Sequence, residues 1–142
     1  MGVITSGTTK IEDYAFQGCE NLISVIIPDS VTYLGSNVFE NCEALVDVKL
    51  GNGLTSIPSY AFNLCPSLEE IVIPYRVNTI KQNAFSSCTK LTKVTIPRAT
   101  TTVGNNAFSY PTKLTICGVA GTYAETYAND IGATFVNQEV KA

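Results

Sequence analysis

A strict 23-residue period runs through the chain and leaves little freedom in what it can fold into. Phe16, Phe39, Phe62, Phe85 and Phe108 keep this step. Cys19, Cys42, Cys65 and Cys88 keep it too, as do Leu22, Leu45, Leu68, Leu91 and Leu114. No insertion or deletion interrupts the period between these residues. A fixed repeat of this length is the mark of a solenoid: one copy cannot bury its apolar face alone, whereas stacked copies share a continuous core.

One copy reads from Leu22 to Glu43. Leu22 to Ile27 alternates as a short strand, with Leu22, Val25 and Ile27 expected inside and Ser24 and Ile26 outside. Pro28 removes a backbone donor and ends it. Val31 to Leu34 is a second extended run that turns at Gly35. Asn37 to Cys42 is too short for a full helix and fits one helical or 3₁₀ turn, with Phe39 and Cys42 on one side. Stacking turns the phenylalanines into one buried column and Ile11, Leu34, Ile57, Ile80 and Val103 into another. The expected fold is therefore a mainly parallel-strand α/β solenoid.

The period fails near the C-terminus. Pro111 stands where the next cysteine is due, and after Gly121 the pattern changes. Ala124, Tyr127, Ala128 and Ile131 share one face of an amphipathic helix. Thr122 with Glu125 reads as a capping box and Gly132 as a stop. Ala133 to Val136 reads as a last strand. Residues 3–121 are thus expected to form an array of five linked repeats, and residues 122–142 a closing cap and tail. At the other end, Val3 and Ile4 land one period before Ile26 and Ile27. The chain is expected to begin midway through a repeat of a longer protein, with Met1 and Gly2 foreign to the array.

The unit Leu-x-x-Val-x-Ile-Pro-x-x-Val-x-x-Leu-Gly-x-x-x-Phe-x-x-Cys, carried by Leu22 to Cys42, resembles the BspA-like (Treponema-type) leucine-rich repeat. Leu68 to Cys88 repeats it with Lys81 for the glycine, and Leu91 onward with Pro111 for the cysteine. The Leu45 to Cys65 copy departs twice, with Gly51 and Pro58 where proline and glycine stand in the first. The segment from Gly118 to Val136 is similar to the closing segment of such arrays in secreted proteins of gut Firmicutes. The resemblance implies a leucine-rich repeat solenoid without catalytic residues, on a bacterial surface or secreted. It implies adhesion to host or bacterial surface proteins or glycans. The alternatives are a passive spacer within a larger surface protein, or a repeat segment beside a catalytic domain elsewhere in the parent chain.

Histidine is absent, which removes the usual general base and most catalytic zinc sites. The nine lysines and arginines are scattered singly, so no basic patch is laid out for nucleic acid. The apolar runs are far shorter than the ~20 residues that span a bilayer. The four in-step cysteines read as a column of buried thiols, because parallel side chains on a ladder do not converge on a disulfide or a metal. Cys117 falls in step with Val25, Val48, Ile71 and Val94, an inward strand position. No cofactor or metal site is expected.

Binding is expected on the outward strand positions, since solenoids use their concave sheet face. One row is Ser24, Asp47, Glu70 and Lys93; the next is Ile26, Lys49, Val72 and Thr95. Tyr75 and Arg76 join them as interface-prone residues in a turn whose counterparts are mostly small. The competing reading of these rows is an ordinary solvated sheet face.

Overall fold

The computed structural model describes residues 2–138. Met1 and residues 139–142, the tail expected after the cap, lie outside the described residues. In chain order the strands are β1 (Gly2–Val3), β2 (Lys10–Ile11), β3 (Ser24–Ile26), β4 (Tyr33–Leu34), β5 (Asp47–Lys49), β6 (Ser56–Ile57), β7 (Glu70–Val72), β8 (Thr79–Ile80), β9 (Lys93–Thr95), β10 (Thr102–Val103), β11 (Thr115–Gly118) and β12 (Thr134–Asn137). A 3₁₀ turn covers Pro111–Lys113, and one helix, α1, covers Tyr123–Ile131.

Every strand pairing is parallel, and from β1 to β10 each joins residues one period apart. Val3 meets Ile26, as the period requires. The odd-numbered strands from β1 to β11 form the strand face and the even-numbered ones from β2 to β10 a second face. Val25, Ile27, Val48 and Ile71 point into the core, while Ile26 is 51% exposed. Ile57 and Ile80 of the second column are fully buried, and Val103 at its end is half-buried.

The third side is the Phe-bearing turn. Consecutive hydrogen bonds link residues three apart, as from Ala15 N–H to Glu12 O and from Gln17 N–H to Tyr14 O. The turn does not propagate as a helix, because two positions per copy lie in the left-handed region. Tyr14, Asn37, Tyr60, Asn83 and Asn106 occupy one, with φ of 56–62°. Gly18, Asn41, Leu64, Ser87 and Tyr110 occupy the other. Between them the Phe backbone runs straight to the next copy: the N–H groups of Phe16, Phe39, Phe62 and Phe85 donate to Val38, Ala61, Ala84 and Ala107. The turn thus forms a third hydrogen-bonded ladder. Its phenylalanine rings stack nearly parallel, with centroids 5.2–5.3 Å apart.

The other two ladders are each interrupted once, on either side of the Leu45 to Cys65 copy. Among the described residues β4 does not pair with β6, nor β5 with β7. The first gap follows from Pro58. Gly35, Lys81 and Gly104 at that position donate their N–H to Ile11, Ile57 and Ile80; proline has none to give. The second gap follows Gly51. A Cβ there would sit 2.5 Å from the carbonyl oxygens of Ile27 and Pro28, so only glycine lets the segment settle so closely onto the preceding copy. The Asn52 N–H donates to the Asp29 carboxylate at 2.9 Å and draws the loop the same way, away from Pro74.

At the C-terminal end the 3₁₀ turn replaces the usual turn and the chain reaches β11 one residue early. The structure pairs Ile116 with Val94 and Cys117 with Thr95. Cys117 therefore does not share the inward position of Val94, contrary to the periodic alignment. It is buried, but lies outside the continuous apolar core. Helix α1 seats Ala124 and Ala128 on that core, and Tyr127 meets the last ring, Phe108, at 6.3 Å. The expected capping box does not form. Thr122 makes no side-chain cap and donates its hydroxyl to Val119 O, while Glu125 accepts from the Gly121 N–H. Gly132 ends the helix in the left-handed region, with φ of 78°. β12 then adds to β11.

Candidate functional site

Three of the four turn cysteines are each held by the copy before. The thiols of Cys42, Cys65 and Cys88 donate to the carbonyls of Phe16, Phe39 and Phe62 at 3.2–3.3 Å. Burial pushes the Cys42 thiol up to about 11 and that of Cys88 to about 12, and raises Cys65 as well. All five cysteines are free. Glu40 is gripped by the side-chain amides of Gln17, Asn37 and Asn63 at 2.7–3.0 Å. Burial pushes its carboxyl up, but the three donors together outweigh this and hold it below the usual carboxylate range. Both clusters are satisfied internally and bind one copy to the next. Among the described residues no group of three or more histidine, cysteine, aspartate or glutamate side chains is placed to hold a metal ion.

The strand face is different. Where β5 and β7 part, a groove of about 480 Å³ opens. The predicted residues Asp47, Lys49, Glu70, Val72 and Tyr75 come together along it. Val48 and Ile71, buried core residues, form its floor, and Val72 is 56% exposed beside them. A second depression on the same face brings Asp47 and Glu70 next to Lys93. Ser24 and Ile26 lie beyond the groove in β3, opposite Asp47 and Lys49. Arg76 is exposed in the turn but does not line it. Thr95 corrects the expected contact row. It is only 5% exposed, a small side chain set between Val72 and the Cys117 that the register step brings opposite it.

Asp29, Asn52 and Pro74 also line the groove, and sequence reasoning did not select them. Their signal was present: Asp29 and Asn52 are turn counterparts of Tyr75. What was missing was that the ladder opens between their copies, which brings the turns to the groove's rim.

The chain is similar to proteins of known sequence and structure over nearly all its length. The profile of the BspA type leucine rich repeat region matches residues 3–115 in six copies. A leucine-rich cell surface protein from Faecalibacterium prausnitzii is 33% identical, with a TM-score of 0.81. That match covers 96% of this chain but 35% of the other, so the chain spans about a third of that protein. A leucine-rich repeat protein from Bacteroides ovatus is 26% identical, with a TM-score of 0.71, over 98% of this chain and 42% of the other. The leucine-rich repeat protein of Treponema pallidum, 24% identical at a TM-score of 0.77, matches over 97% and 86%. No curated protein sequence matches the chain significantly.

Proposed function

The chain belongs to the BspA-type leucine-rich repeat family, and we propose that it is a non-catalytic binding module of a secreted or cell-surface bacterial protein, holding a partner protein against its strand face. In this reading residues 3–121 supply the binding array and residues 122–138 close it. The observation that carries this reading is the groove between β5 and β7, where residues that do not repeat meet on one face. The repeating residues fill the core or tie copies together, so specificity must come from those that vary. An adhesive role accords with the likeness to a cell surface protein and with solenoids presenting an extended face for recognition.

The test is a binding screen of the purified chain against host matrix proteins, bacterial surface proteins and glycans. Capture of a protein partner, weakened at least about fivefold by Val72→Arg in the groove, is the expected result. A folded chain that captures nothing favours the spacer role instead.

A further inference from the structure

We propose that the opening between β5 and β7 receives a cationic side chain, a lysine or arginine carried on an extended segment of the partner protein; this rests on the strand-face reading above. Elsewhere on this face backbone groups are consumed by the ladder. The Val46 N–H donates to Ile23 O and the Thr92 N–H to Glu69 O, and at the far end of the strands Ile27 donates to Lys49 O and Ile73 to Thr95 O. Across the opening neither the Glu69 nor the Leu50 N–H makes the corresponding bond. The carbonyls of Val46 and Val72 thereby lose the donors that their counterparts hold. Val72 lines the groove and Val46 the depression beside it, so an extended segment laid along the gap passes both acceptors.

The side chains add charge of the same preference. Asp29, Asp47 and Glu70 line the groove against the ammonium of Lys49, and with Lys93 beside Asp47 and Glu70 in the adjoining depression the acids stay in excess. Asp29 is already bound to the Asn52 N–H, whereas the carboxylates of Asp47 and Glu70 have no hydrogen-bond or ion-pair partner among the described residues. Val72 and Tyr75, 56% and 38% exposed, offer an apolar wall and an aromatic face along the groove. An aliphatic stem with a cationic, donor-rich head matches this arrangement of wall, ring and acceptors. An anionic ligand would meet excess negative charge, and a wholly apolar one would leave the open carbonyls unpaired.

The probe is a short acetylated and amidated peptide with one arginine between valines, titrated into the whole chain and followed by amide NMR shifts. Its citrulline twin keeps the shape and removes the charge. Shifts are expected to gather at Leu50, Glu70 and Val72. The twin, and separately the Asp47→Asn/Glu70→Gln double variant, should each bind about fivefold more weakly. Equal affinity of the two peptides, shifts gathered elsewhere, or no shifts would each overturn the proposal. A partner from the binding screen held equally by the double variant and the native chain overturns it too, yet leaves the broader reading standing. A screen that finds no partner overturns that broader reading on its own.

Discussion

Cysteine ends the turn in four successive copies because its side chain fills space and also gives a hydrogen. Alanine would fill less and give nothing. Cys65→Ala should leave the Phe39 carbonyl without the bond it receives at 3.2 Å and cost about 1–3 kcal/mol in urea unfolding; a loss near zero would mean that the thiol only fills space. The same burial sets a pH dependence. An unfolded thiol ionises near ~8.5, while folded Cys88 holds its proton to about 12 and Cys65 is raised as well. As pH rises the unfolded chain gives up protons first. Stability is therefore undiminished below ~8.5 and falls above it, by up to ~1.4 kcal/mol per buried thiol per pH unit. Urea midpoints at neutral pH and at about pH 10 check this, and a level midpoint would place the sulfurs in contact with water.

The turn is the element whose backbone carries most strain. Leu64 is a branched, 45% exposed residue at φ of 61°, where Asn41 and Gly18 stand in other copies. Leu64→Asn keeps the N–H that donates to Ser86 O and relieves a conformation that costs an ordinary residue ~1–2 kcal/mol. A gain of roughly 0.5–1 kcal/mol is expected from thermal unfolding; a loss would show that the packing of the leucine outweighs its backbone cost. Much of this architecture was legible in the sequence, and the limits have a physical cause. Phe62 or Ile57 recurs because burial selects the same side chain at every step, so columns, strand faces and the α1 surface could be read directly. Backbone ladders leave a fainter trace. Asn37, Asn83 and Asn106 share a left-handed position that the reading of the turn did not single out, whereas Gly51 and Pro58 stood out as departures. Nothing in side-chain periodicity says that one departure removes a ladder bond and the other draws a loop backwards to open a groove. The step at Cys117 was hidden for a related reason: Leu91 and Leu114 stay in period while the strand between Leu114 and Gly118 pairs one residue off.

For the whole molecule, the two interruptions mean that the Leu45 to Cys65 copy holds its neighbours unequally. Its strand β5 pairs with β3 only, and its β6 with β8 only. Among the described residues the one ladder that crosses both gaps is the turn ladder, with Phe62 stacked 5.3 Å from both Phe39 and Phe85. In a solenoid, stability is the sum of copy and neighbour terms, and cooperativity lasts only while each neighbour term is large. Phe62→Ala removes the ring that bridges the weak junction. Phe108→Ala removes a buried ring whose stack on Phe85 lies where β7 to β9 and β8 to β10 are also paired. Each should cost ~3–5 kcal/mol, but the outcomes should differ in kind. The Phe108 variant should unfold in one transition at lower urea. The Phe62 variant should separate into two, with the N-terminal copies losing amide protection before those next to α1. Hydrogen exchange read residue by residue along a urea series distinguishes them. Coincident loss of protection on both sides of the junction in the Phe62 variant would show that the groove is bridged more firmly than its open ladder implies, and that the strand face behaves as one rigid surface.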